Sequence, residues 1–177
     1  MDYYYLTEKF TLIPKMFFSP KNAIEAIKDL YGVDNGEVIK HIYLQSFDAY
    51  LAYILPIATV SRMKEGEEIY PFAYALMGSL KNVTEYNKVL FYYSTSHHLA
   101  YVVISKGEEL QLVNSYHADC FESAVYFLFL AVKQTIINPL QTTLHVYSPL
   151  SPEELQIIGK YFSAIETGNI ESEINLL

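Results

Sequence analysis

From residue 88 onward the apolar pattern changes period in an order that few folds can satisfy. Residues 88–93, 99–105 and 109–114 are three short runs rich in β-branched and aromatic side chains, and each predicts a strand. Lys106-Gly107-Glu108 is a tight connection, so the second and third strands are expected to be antiparallel. A long apolar segment follows. Asp119 reads as its N-cap, Glu122 as the reciprocal capping partner, and the helix is expected to run to about residue 137, where Asn138-Pro139 stops it. Because this segment is apolar nearly all round, the pattern places it in the interior. Residues 143–147 predict one more strand, and Ser151-Pro152-Glu153-Glu154 opens a second capped helix. Leu155, Ile158, Phe162 and Ile165 form its buried stripe. The order β-β-β-α-β-α, with the last strand returning parallel through a crossover, specifies an α/β domain.

The first half is less regular and reads β-α-β-β-α-α. Residues 10–13 form a short strand ended by Pro14. Ser19 and Pro20 then stand as N-cap and first helical residue of a helix whose stripe is Ala23, Ile24, Ile27, Leu30 and Tyr31, with Gly32 as its stop. Residues 38–45 and 49–55 predict a hairpin across Ser46-Phe47-Asp48. Residues 57–65 and 71–80 have helical character, and residues 65–68 form an acidic loop. This change in regularity separates residues 1–86 from residues 87–177.

Composition removes several classes of function. Apolar residues make up 51% of the chain and charged residues 18%, enough apolar surface to exclude disorder. The net charge of −8 and a single arginine, Arg62, exclude the clustered cations that nucleic-acid binding needs. The N-terminus lacks the basic and apolar regions of a secretion signal. The longest apolar run, residues 124–132, is far short of the roughly 20 residues of a membrane span. A cytoplasmic protein is therefore expected, with no nucleic-acid or membrane partner. The chain has 17 Tyr and 10 Phe but no Trp, a content that suits packing at strand faces and also protein–protein surfaces.

The β-β-β-α-β-α order is that of one lobe of the actin, hexokinase and sugar-kinase fold, a ribonuclease H-like architecture. Residues 10–14 (Phe-Thr-Leu-Ile-Pro), 110–116 (Leu-Gln-Leu-Val-Asn-Ser-Tyr), the helix 121–132, the strand 143–147 and the closing helix through Tyr161-Phe162 resemble a bacterial family of unknown function assigned to the actin-like ATPase fold. The resemblance implies a metal- and phosphate-holding hairpin at the start of the first lobe; this chain is expected to begin after it. The matching turn of the second lobe is Ser94-Thr95-Ser96-His97-His98, without the Asp-Gly pair, and the turn expected to meet adenosine is Ser148-Pro149-Leu150-Ser151, without glycine. Backbone amides approach phosphate closely where glycine permits it. The expected function is therefore a non-catalytic protein-interaction or scaffold module that binds a protein partner or itself and needs no cofactor. The alternative is a degenerate nucleotide-binding or phosphotransfer protein, with ATP as its ligand.

Ligand-cleft candidates are Ser94, Ser96, His97 and Ser148 in those turns, with Asn114 and Ser115 expected at the end of the third strand, where α/β folds place ligands. His117, Asp119 and Cys120 come nearest to a nucleophile cluster, since a thiol at a helix start meets the positive end of the dipole. Capping by Asp119 and the entry of Cys120 into a buried helix explain them fully, and with neither a positioned base nor an oxyanion hole in the pattern no catalytic residue is assigned. His97 and His98, adjacent in a turn, lack a third ligand for zinc.

Overall fold

The computed structural model describes residues 1–177. Its elements are β1 (Asp2–Tyr5), β2 (Phe10–Pro14), α1 (Pro20–Tyr31), β3 (Glu37–Leu44), β4 (Ala49–Pro56), α2 (Ile57–Val60), β5 (Glu68–Pro71) and α3 (Phe72–Gly78). The second half contains β6 (Asn87–Ser94), β7 (Leu99–Lys106), β8 (Glu109–His117), α4 (Phe121–Gln134), β9 (Thr143–Val146), α5 (Pro152–Gly159), β10 (Ala164–Thr167) and β11 (Asn175–Leu176).

The second half builds a five-stranded sheet in the order β10-β9-β6-β7-β8. β6, β7 and β8 are antiparallel neighbours, while β6–β9 and β9–β10 are parallel. β6 and β7 are buried on both faces, which is why they read as continuous apolar runs rather than alternating ones. One face, with Val89, Phe91 and Tyr93, packs under α4 and α5. The other, with Leu90, Tyr92, Tyr101 and Val103, packs against the first half of the chain through Leu6, Phe10, Phe72 and Leu76.

The first half forms two three-stranded sheets. β2-β4-β3 is antiparallel and carries α1 on one face, and β11-β1-β5 is parallel. Ser19 caps α1 by accepting from the Asn22 amide, and Gly32, at φ 68°, adopts the left-handed region that ends it. The Tyr53 hydroxyl donates to the Ile69 carbonyl at 3.1 Å, tying one sheet to the other. β1 and β5 are absent from the sequence reading: each has only four residues, too few to display a period. The C-terminal segment returns to the first half, where β11 pairs with β1 and Ile170 is buried.

Five sequence expectations are corrected. The N-cap of α4 is Cys120 with no side-chain cap, because Asp119 turns away to His117 at 3.0 Å; the expected Asp119–Glu122 capping box does not form. α4 ends at Gln134, since Ile136 adopts φ 54°. Only one face of α4 is interior, through Phe121, Ala124, Leu128, Ala131 and Val132, whereas Tyr126 is 63% exposed. The helix expected over residues 57–65 is the single turn α2. Ile165, expected on the closing helix, lies in β10 as the fifth strand of the sheet. The Ser151–Glu154 capping box does form, in both directions.

The two halves meet at an aromatic cluster. Phe72 lies 4.3 Å from Tyr92 and 5.2 Å from Tyr101, ring centre to ring centre, all three fully buried, and the Tyr101 hydroxyl donates to the Thr7 carbonyl at 2.8 Å. Replacing Phe72 with Ala is expected to cost about 3–5 kcal/mol in urea unfolding, because the cavity opens where three elements converge. Tyr101→Phe is expected to cost about 1–2 kcal/mol, the penalty of a buried carbonyl left without its donor.

Candidate functional site

Four of the six ligand-cleft candidates gather at the carboxyl ends of β6 and β9. Ser94, the last residue of β6, is buried, and its Oγ lies 3.0 Å from His97 Nδ1 and 3.3 Å from Ser96 Oγ. Ser96 Oγ is also 3.0 Å from the same nitrogen. Ser148 sits in the turn after β9 and accepts a hydrogen bond from the Tyr93 amide, which pins that turn beside the end of β6. The polar atoms of this turn are therefore engaged with one another, and His98 closes it at φ 54°. The neighbouring Tyr93 hydroxyl is buried without a partner, and burial raises its pKa.

Asn114 and Ser115 are placed differently from expectation. β8 continues to His117, so both lie within the strand, paired with Val102 and Tyr101. Asn114 Oδ1 accepts from the Ser115 amide at 2.9 Å, and Ser115 Oγ donates to the Glu8 carbonyl at 3.4 Å. The residues that do end β8 form a separate group. His117 pairs with Asp119, while exposed Cys120 faces Ser123 Oγ at 3.3 Å and has no imidazole hydrogen-bonded to it.

Beside the Ser94–His98 turn lies a cleft of about 270 Å³ lined by residues 5–9, Glu37, His97 and His117. That is below the roughly 300–1,000 Å³ usual for small-molecule sites. Lys9, its one lysine, is already matched by Glu37 at 2.6 Å, and Glu8 adds a further negative charge. Such a lining does not favour polyphosphate. A larger cleft of about 660 Å³ opens on the far side of the junction between Tyr43–Phe47, α3 and residues 170–174. Lys88 enters it with an 8% exposed side chain, its ammonium 3.4 Å from Glu108 and 3.5 Å from the Leu80 carbonyl. A lysine at the start of a strand pattern carries no sequence signal of burial, and this one escapes the sequence reading.

The least expected feature lies on the outer face of α4 and α5. Phe121, Val125, Tyr126 and Phe129 of α4 line, with Ile157 of α5 and Tyr161, an open groove of about 410 Å³ that also takes in Glu122; Phe129 meets the Tyr161 ring edge to face at 5.1 Å and lies 5.8 Å from Phe162. Tyr126, Tyr161 and Ile157 are 63%, 51% and 44% exposed. The only sequence signal for this outward face is its charged frame, Glu122 and Lys133. They stand eleven residues apart, about 20° from alignment on an ideal helix. No cluster of side chains suited to a metal ion is present, and no helix is long and apolar enough to cross a membrane.

Residues 4–165 match the DUF3822 family of proteins of unknown function, and the chain belongs to that family. The chain is also similar to a solved structure from Bacteroides thetaiotaomicron VPI-5482, a protein with an actin-like ATPase fold and unknown function. The two share 16% identity with a TM-score of 0.80, over 94% of this chain and 67% of that one. A type IV pilus biogenesis complex, PilM–PilN, is more distant, at 11% identity and a TM-score of 0.46 over 95% of this chain and 67% of that one. No curated protein matches the sequence. The fold is thus actin-like.

The Lys9–Glu37 pair closes the polar cleft and sets a pH dependence. The hydrogen bond from Lys9 holds the Glu37 carboxyl below its ordinary range, and the same bond holds Lys9 above its own. A lowered acid contributes stability above its unfolded value of about 4.3, and loses it as pH falls through the folded value. A raised lysine contributes below about 10.4 and loses the contribution as pH rises through its folded value. Glu37→Gln is therefore expected to cost up to about 1 kcal/mol in urea unfolding at neutral pH. The difference from wild type should vanish at both extremes.

Proposed function

We propose that this chain is a non-catalytic protein-interaction module on a degenerate actin-like fold, and that the α4–α5 groove is its binding face. The observation that carries the reading is the groove in which exposed Tyr126, Ile157 and Tyr161 surround half-buried Val125 and Phe129. Aromatic side chains held rigidly at low conformational cost are what anchors at interfaces are made of. A lone exposed apolar residue needs no explanation, but a groove of them with charged ends marks an interaction site. Cross-linking through lysines in the cells that make the protein tests this. Intermolecular links are expected at Lys133 and Lys160, near the groove, and not at Lys21 or Lys28 on α1. They should disappear in Tyr126→Glu. Links spread evenly over the surface, or unchanged by the substitution, would overturn the reading.

A second reading, nucleotide binding, is favoured by one observation: Ser94, Ser96, His97 and Ser148 converge at strand carboxyl ends, where open α/β sheets hold ligands. A ligand that binds only the native state raises the melting temperature. On the interaction reading, magnesium-ATP at millimolar concentration leaves the melting temperature unchanged. A rise of several degrees that is lost in Ser96→Ala would install the second reading instead.

A further inference from the structure

The charges at and just beyond the ends of α4 and α5, of which Glu122 lines the groove itself, determine what kind of surface fits this face. α4 and α5 both run back against the parallel strands β6, β9 and β10, so their N-termini lie at the same end of the lobe. That end carries Glu122 and Glu153, both exposed, and the opposite end carries Lys133 and Lys160, also exposed. No ion pair within the chain uses any of the four: Lys9, Lys15, Lys21, Lys40 and Lys88 take the lysine partnerships that form. The helix dipole accounts for an acid at one end and a base at the other. It gives no reason for the apolar groove between them.

We infer that the groove is the seat of a second copy of this chain, docked about a two-fold axis with the two α4 helices antiparallel. The pattern on α4 is self-complementary under that operation. Glu122 and Lys133 are about 16 Å apart along an ideal helix and on nearly the same line, so a two-fold axis between residues 127 and 128 sets Glu122 against Lys133 of the second copy, twice. The same axis sets Tyr126 opposite Phe129 of the second copy, again twice, aromatic against aromatic. Glu153 on α5 and Lys160 just past its end repeat the polarity, so the acidic end of each copy meets the basic end of the other. A parallel arrangement would place like charges together at both ends and is disfavoured. The inference rests on the interaction reading above and names its partner.

Charge reversal tests it, because the predicted pairs are between copies. In sedimentation equilibrium at up to about 0.2 mM, the wild type is expected to dimerise. Glu122→Lys and Lys133→Glu are each expected to raise the dissociation constant about tenfold, by creating two like-charge contacts per dimer. The double variant Glu122→Lys with Lys133→Glu is expected to recover wild-type association. Mixing the two single variants is expected to yield a mixed dimer tighter than either alone, since each chain then meets its opposite. This mixing result does not depend on any change that either substitution makes to helix stability. Tyr126→Glu is expected to weaken association about a hundredfold or more.

A wild type that stays monomeric, a dimer indifferent to charge reversal, or single variants that associate no better when mixed would each overturn self-docking. If the wild type is monomeric while cross-links at Lys133 and Lys160 lead to a different protein, self-docking falls and the interaction reading stands. If no cross-links form there at all, both fall.

Discussion

The contact between Phe72 and the two tyrosines Tyr92 and Tyr101 is the interaction on which the rest of the molecule depends. These rings lie where α3 meets the inner face of the five-stranded sheet, and the buried Tyr101 hydroxyl reaches across to the backbone at Thr7. Without that contact the sheet would expose one face of β6 and β7 to water, and the small sheets of the first half would lose the surface against which they pack. Neither half buries its own apolar area alone, which is why two irregular three-stranded sheets persist beside a regular lobe. The tyrosine content noted in the sequence finds its main use here: large apolar bodies at the junction, each with a hydroxyl that can reach a polar group at the rim.

The second half of the chain was legible because its signals are local and long. β6, β7 and β8 each run to eight or nine residues, the turns between them are short, and the capping box at Ser151–Glu154 is a complete signature. The first half was harder, since β1 and β5 have only four residues each and acquire meaning only by pairing with each other and with β11. β10 was absorbed into the helix pattern before it because Ile165 continues the spacing of Ile158 and Phe162. Tertiary pairing, not local preference, decides that residue. The cap of α4 misled for a different reason: Asp119 had a competing partner in His117, two residues back, that a one-dimensional pattern does not weigh.

Of the candidate site, the turn chemistry was visible and its internal bonding was not. Ser94, Ser96, His97 and Ser148 were recognisable from the fold that the strand order implied. That their polar atoms would be satisfied among themselves and by the Tyr93 amide depends on distances that no spacing reports. The α4 surface shows the opposite failure. An all-apolar helix was assigned to the interior, yet the sheet beneath it can cover only one side. Its far side therefore had to be either solvent-facing or an interface, and aromatic rings at Tyr126 and Phe129 are poor choices for solvent.

The pairing of β11 with β1 joins backbone at Tyr3 and Tyr4 to backbone 172 residues later, at Asn175 and Leu176. On the ribosome the first strand is finished early, yet one of its edges must wait through translation of everything between. Closing so long a loop costs little more entropy than closing one half its length, so the delay is kinetic rather than thermodynamic. Until residue 176 is made, that edge of β1 lacks its strand partner, and an unpaired strand edge is open to pairing with the wrong chain.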